Sequence, residues 1–166
     1  MSARGIGWAA LGVAMLGVVG WRLHRVVNLE PDQGAPFALV DARSGLPFTE
    51  ATLYGTPTAL FFGFTSCPEV CPTTLARAKG HLDALGPEAP GLRFVFVTVD
   101  PERDTPHKLA AYLGAFDPRI VGLTGSRSEV DKAMKRFGIF AQKVEHGDTY
   151  SYDHTALVLL IDRCDG

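Results

Sequence analysis

Residues 58–85 read TALFFGFTSCPEVCPTTLARAKGHLDAL. The first seven form an unbroken apolar run, the mark of a strand covered on both faces. Residues 73–85 place Leu75, Ala78, Leu82 and Leu85 on one helical stripe. Between strand and helix lie Cys67 and Cys71, two of only three cysteines in the chain. Pro68 and Pro72 punctuate the stretch and force the sulfurs into a turn. If the helix begins between the cysteines, they stand one turn apart on the same side. A thiol at a helix N-terminus feels the positive end of the dipole, so the sequence predicts a favoured thiolate. Such a pair suits a metal site, a reversible disulfide, or both.

Outward from this segment the period changes repeatedly. Residues 37–40 read as a short strand and 93–99, RFVFVTV, as a second buried-type strand. Thr105-Pro106 opens a helix reaching about residue 116, with Thr as cap and Pro at the first helical position. Residues 120–123 form a short strand. Ser126 and Glu129 make a capping box for a helix that Gly138 closes. Residues 139–144 are extended. Residues 155–161, TALVLLI, form a third buried-type strand. Strands alternating with helices give an α/β fold with βαβ units and a parallel sheet. Sites in such sheets lie beyond the carboxyl ends of the strands. Cys67 and Cys71 follow one central strand and Asp100 follows the next, so both segments are expected at one rim.

His154 immediately precedes the third strand. Were that strand antiparallel to the other two, its start would lie at their carboxyl rim and His154 would face the cysteines. Two thiolates and one imidazole form a soft, three-coordinate set that selects copper(I) or zinc over magnesium or calcium.

The 166 residues leave room for one domain of ordinary size. Sixteen Lys and Arg against eighteen Asp and Glu give a net charge of −2, with no basic run, so no nucleic-acid partner is expected. Three cysteines are too few for a disulfide scaffold. Residues 5–21 carry no charge, and Trp8 and Trp21 bracket them as interfacial aromatics do. Seventeen helical residues span roughly 25 Å, the short end of what crosses a bilayer. The expected organisation is a membrane anchor over residues 1–27, whose apolar run exceeds a typical signal-peptide core, and a domain over residues 28–166. Counting Arg4 against Arg22 and Arg25 leaves the orientation of the anchor open.

Four segments, GFTSCPEVCP (63–72), TVDPERDTP (98–106), VGLTGSRSEVDKA (121–133) and YDHTALVLLID (152–162), together resemble the Sco/SenC copper metallochaperones. The resemblance covers roughly residues 37–162 and keeps the family's segment order. It implies a thioredoxin-like fold with an N-terminal transmembrane helix, and copper bound by Cys67, Cys71 and His154. It further implies a membrane-anchored metallochaperone that helps assemble the copper centre of cytochrome c oxidase. The expected partners are the copper-bearing subunit of that oxidase and a periplasmic copper donor or thiol reductant. The expected location is a bacterial inner membrane, with a single-pass anchor and the domain facing the periplasm. Two departures stand out. Many relatives carry a histidine where this chain has Ser66. Relatives also continue past the late strand into a further strand and a helix, which this chain, ending at Gly166, is expected to lack.

The alternative function is enzymatic: a thiol-disulfide oxidoreductase whose Cys67 attacks a partner disulfide and whose Cys71 resolves it. A redox dithiol needs no His154, and the three-residue spacing departs from the two-residue spacing of thioredoxin motifs. Among other candidates, Cys164 is expected about 25–30 Å away at the far end of the strand. Asp100, Glu102, Arg103 and Asp104 form a charged loop at the active rim, read either as a solvated loop or as one in which Asp100 tunes the site or docks a partner. Asp153 points away from the face of His154. His81, His107 and His146 read as surface residues.

Overall fold

The computed structural model describes residues 36–53, 55–86 and 91–161, all within the compact unit that runs from Gly34 to Gly166. Among the described residues, eight strands and three α-helices follow in order: β1 (Ala38–Asp41), β2 (Pro47–Thr49), β3 (Thr58–Gly63), α1 (Val70–Leu85), β4 (Arg93–Thr98), α2 (Pro106–Gly114), β5 (Val121–Thr124), α3 (Arg127–Arg136), β6 (Ala141–His146), β7 (Thr149–His154) and β8 (Val158–Ile161). A 3₁₀ turn, Glu50–Thr52, follows β2. Among the described residues no helix is long and apolar enough to cross a membrane. The anchor expected over residues 5–21 lies outside them, as does Cys164.

Six strands form one sheet in the order β2-β1-β5-β4-β3-β8, and β6 and β7 form a separate two-stranded sheet. β3, β4 and β5 are parallel, joined through α1 and α2. β1, β2 and β8 run antiparallel to their neighbours, so the sheet is mixed rather than wholly parallel. The core is what the two apolar runs promise. Every residue of β3 is buried, as are five of six in β4, with Phe61, Phe62 and Phe96 fully enclosed. Burying one such aromatic contributes on the order of 2–3 kcal/mol before entropy is charged against it.

Local chemistry sets the helix starts. α1 begins at Val70, three residues earlier than the sequence pattern indicates. The expected start lay beyond Pro72. Proline is tolerated in a first helical turn, where its missing N–H would have had no partner anyway. Thr105 caps α2 by accepting from Lys108 N, and Ser126 caps α3 by accepting from Glu129 N. The Glu129 carboxylate does not stay local. It accepts from Ala38 N at 2.7 Å and ties α3 to the start of β1.

Three strands depart from expectation. β2 is only three residues long and offers no readable period. The β6–β7 hairpin replaces a single extended stretch. His146 pairs with Thr149 across a two-residue turn, with Gly147 at φ 61 in its first position as a type II′ turn needs. β8 begins at Val158 rather than residue 155, and it is not a buried strand. It stands at the sheet edge beside β3, with Leu160 79% exposed.

Candidate metal centre

β3 ends at Gly63 and the chain turns through Phe64–Ser66 before reaching Cys67, whose N–H donates to Phe64 O at 3.1 Å. Cys67 is buried and Cys71, in the first turn of α1, is fully so; both are free thiols. Gly63 is required by close approach. A methyl group there would lie 2.7 Å from Cys71 Sγ and 3.0 Å from the Phe96 ring. The sulfur thus sits directly over the end of β3, in space that any other residue would fill.

His154 arrives from the other direction, as the last residue of β7. β8 is antiparallel to β3, so the chain entering it passes the rim where β3 and β4 end. The imidazole stands edge-on to Phe64 at 5.8 Å and to Phe61 at 6.3 Å between ring centres. Its Nε2 lies 3.8 Å from Cys71 Sγ, and the ligand atoms of Cys67, Cys71 and His154 all lie within 4.8 Å of one another. Sulfur and nitrogen bound to one ion at zinc-like lengths are separated by roughly 3.6–3.8 Å. The observed Cys71–His154 distance matches that spacing. Nδ1 lies 3.1 Å from Thr155 O, an acceptor only. Nδ1 must therefore carry the proton when this bond forms, which leaves the Nε2 lone pair aimed at the sulfurs.

One electrostatic expectation is reversed. Burial pushes the Cys71 thiol up, and the neighbouring Cys67 sulfur adds to the rise. Burial thus favours the protonated thiol at Cys71 and opposes the thiolate expected at a helix N-terminus. A soft cation must displace that proton, and capture releases it to solvent. Burial also pushes the Tyr112 hydroxyl up, followed by the charge Cys71 would carry.

The two aspartates of the acidic loop after β4 are not solvated. Asp100 and Asp104 are both fully buried. Asp104 accepts from Thr65 N at 2.9 Å, Thr65 Oγ1 at 2.5 Å and Thr98 Oγ1 at 2.7 Å. It thereby fastens the cysteine turn to the end of β4. Thr65 is the positioning residue that sequence reasoning missed, and its partner Asp104 was named only as part of the charged loop; the adjacency of Thr65 to the cysteine turn was the available signal. Asp100 accepts from Arg103 Nε and, at 3.0 Å, from the Tyr150 hydroxyl. Glu102 is exposed and faces Arg127 at 3.7 Å. Asp153, His81, His107 and His146 are exposed, as expected, and the His146 ring meets Ser151 Oγ at 3.0 Å.

Comparison with known proteins agrees with this geometry. The SCO1/SenC family model matches residues 27–166. A SCO2-like protein of Rickettsia conorii is 37% identical over 143 residues, covering 82% of this chain and 69% of that protein. The structure of Bradyrhizobium japonicum ScoI with copper bound superposes with a TM-score of 0.75 at 44% identity, covering 78% of this chain and 83% of the other. Yeast Sco1 with copper bound superposes with a TM-score of 0.70 at 37% identity, covering 78% and 74%. The thioredoxin-like α/β architecture is shared with these structures.

Proposed function

Because this chain belongs to the SCO1/SenC family, we propose that it is a copper carrier that holds copper(I) on Cys67, Cys71 and His154 and surrenders it by ligand exchange. The observation that carries this reading is the convergence of three soft ligand atoms within 4.8 Å, two from one strand–helix junction and one from a separate hairpin. The hydrogen bond from Nδ1 to Thr155 O is the support a metal-binding imidazole needs. The recipient is the copper-bearing subunit of cytochrome c oxidase. Residues 1–27 anchor the chain in a bacterial inner membrane and residues 28–166 form the carrier domain on its periplasmic side.

Titration of the reduced chain with copper(I) tests the ligand set. We expect about one copper per chain, with two sulfurs and one nitrogen at the copper X-ray absorption edge. His154→Ala should remove the nitrogen and keep both sulfurs. A nitrogen signal that survives His154→Ala would contradict the assignment. A reporter active only outside the cytoplasm, fused at the C-terminal end, should be active and stay with membranes.

The two buried thiols, whose sulfurs lie within 4.8 Å of each other, also favour a dithiol–disulfide reading. Cys67 would attack a partner disulfide and Cys71 would release the partner as a thiol while the Cys67–Cys71 bond forms. His154→Ala separates the two. It should weaken copper binding while leaving the Cys67–Cys71 disulfide able to form. If it left copper affinity intact and blocked reduction of a partner disulfide, the redox reading would replace the carrier reading.

A further inference from the structure

His154 is carried by an element with little support of its own. β6 and β7 form an isolated two-stranded sheet, and such a hairpin is marginal in water without packing partners. One face of β7 supplies those partners at every second residue: Tyr150, Tyr152 and His154. Tyr152 stands edge-on to Phe64 at 5.8 Å, and Arg127 Nη1 lies 3.3 Å from its hydroxyl. Tyr150, next to the turn, is gripped at three points. Its hydroxyl donates to the buried Asp100 at 3.0 Å, its carbonyl accepts from Arg103 Nη1 at 2.8 Å, and the Arg103 guanidinium lies 3.6 Å from its ring centre. Asp100 in turn accepts from Arg103 Nε, so the three residues close a ring between the β4–α2 loop and the hairpin.

We propose that Arg103 and Tyr150 are positioning residues for the metal centre, forming a clasp that holds the hairpin down so that His154 Nε2 stands at the sulfurs. The clasp touches neither the sulfurs nor the imidazole. It acts by reducing the number of places His154 can occupy before copper arrives. Its lever is the four-residue register from Tyr150 to His154, which spans about 13 Å of rigid strand. The proposal rests on the three-ligand reading given above.

The test measures copper(I) affinity of the reduced 166-residue chain by competition with a chromophoric chelator. Arg103→Ala, Arg103→Lys and Tyr150→Phe are each made in the native and in the His154→Ala background. In the native background Arg103→Ala should weaken binding by about 10–100-fold, the range found when residues supporting a metal ligand are lost. Arg103→Lys, which keeps the charge but not the fork, should recover only part of that loss. Tyr150→Phe, which keeps the ring, should weaken binding less than Arg103→Ala. In the His154→Ala background all three effects should vanish, because no imidazole is left to position. In the metal-free protein, the His154 ring protons should lose the shift imposed by the edge-on Phe64 ring when Arg103 is replaced. Unchanged affinity in the native background would overturn the clasp. So would equal losses in both backgrounds, which would mark a general loss of structure. If His154→Ala alone left affinity at the native level, the three-ligand reading would fall and the clasp with it.

Discussion

The thiol half and the imidazole half of the site are built differently. Cys67 and Cys71 belong to one continuous strand–turn–helix segment whose strand is wholly buried and whose turn is fastened by Asp104. His154 belongs to a two-stranded hairpin held by Arg103, Arg127 and Tyr150 through hydrogen bonds and ring contacts at its surface. The contrast teaches how a carrier can bind tightly and still let go. On the proposed three-ligand reading, two fixed sulfurs would give affinity, and a third ligand on a separate hairpin would be withdrawn first. Opening the hairpin breaks a few hydrogen bonds and ring contacts, whereas moving a cysteine disturbs the core.

The largest effect should come from the fixed half. Cys67→Ala or Cys71→Ala should lower copper(I) affinity by well over 100-fold, beyond the cost of losing a residue that only supports a ligand. Competition titration reads this directly. A loss no greater than that of His154→Ala would erase the distinction between the halves.

Next is Gly63→Ala. A methyl group 2.7 Å from Cys71 Sγ must displace either the sulfur or Phe96. Overpacking of this kind typically costs about 1–3 kcal/mol. Denaturant unfolding should report that loss in the metal-free chain, and copper affinity should fall with it. A fully stable variant with native affinity would mean that the fixed half is softer than its packing indicates.

Asp104→Asn should cost about 1.5–3 kcal/mol, since it weakens hydrogen bonds to a buried charged acceptor. Thiol alkylation of Cys67 should become faster as the turn loosens. Unchanged alkylation would place the rigidity of the turn elsewhere.

The smallest effect on copper should come from Asp117, a buried carboxylate remote from the site. Hydrogen bonds from Arg119 hold its carboxyl down at about 2, and the same guanidinium reaches Leu82 O and Asp83 at the end of α1. A depressed carboxyl pKa contributes stability above about pH 4 that is lost as pH falls toward 2. Because Arg119 is partly exposed, solvent screening keeps that contribution modest. Asp117→Asn should remove it, flattening the acid limb of stability against pH, while copper affinity at neutral pH stays native. A change in copper affinity would show that strain in the body reaches the site.

These contrasts also explain what the sequence disclosed. The runs over residues 58–64 and 93–99 are predominantly apolar, so burial identifies them. Thr105-Pro106 and Ser126 carry their own capping chemistry, so those helix starts are local facts. The cysteines and His154 are legible as ligand types, and the antiparallel setting of β8 brings them together. The hairpin was hidden because AQKVEH and TYSYDH are polar and half-exposed, although Gly147-Asp148 is a turn signal. The charged loop holding Asp100 and Asp104 leaves a solvated and a functional reading open in the sequence, because the partners that bury it lie far along the chain. Thr65 is 39 residues from Asp104 and Tyr150 is 50 from Asp100. The apolar stripe that marks α1 begins only at Leu75, so the pattern leaves its start open, and the structure places it at Val70, between the cysteines.

The most direct test of the difference between the two halves is amide hydrogen exchange on the reduced chain with and without copper(I). Without metal, amides of β6 and β7 should exchange orders of magnitude faster than those of β3 and β4, reflecting local opening of the hairpin. Copper should slow the hairpin amides and leave β3 and β4 almost unchanged. Equal protection of hairpin and sheet in the metal-free chain, or copper-induced protection that spares the hairpin, would contradict the account.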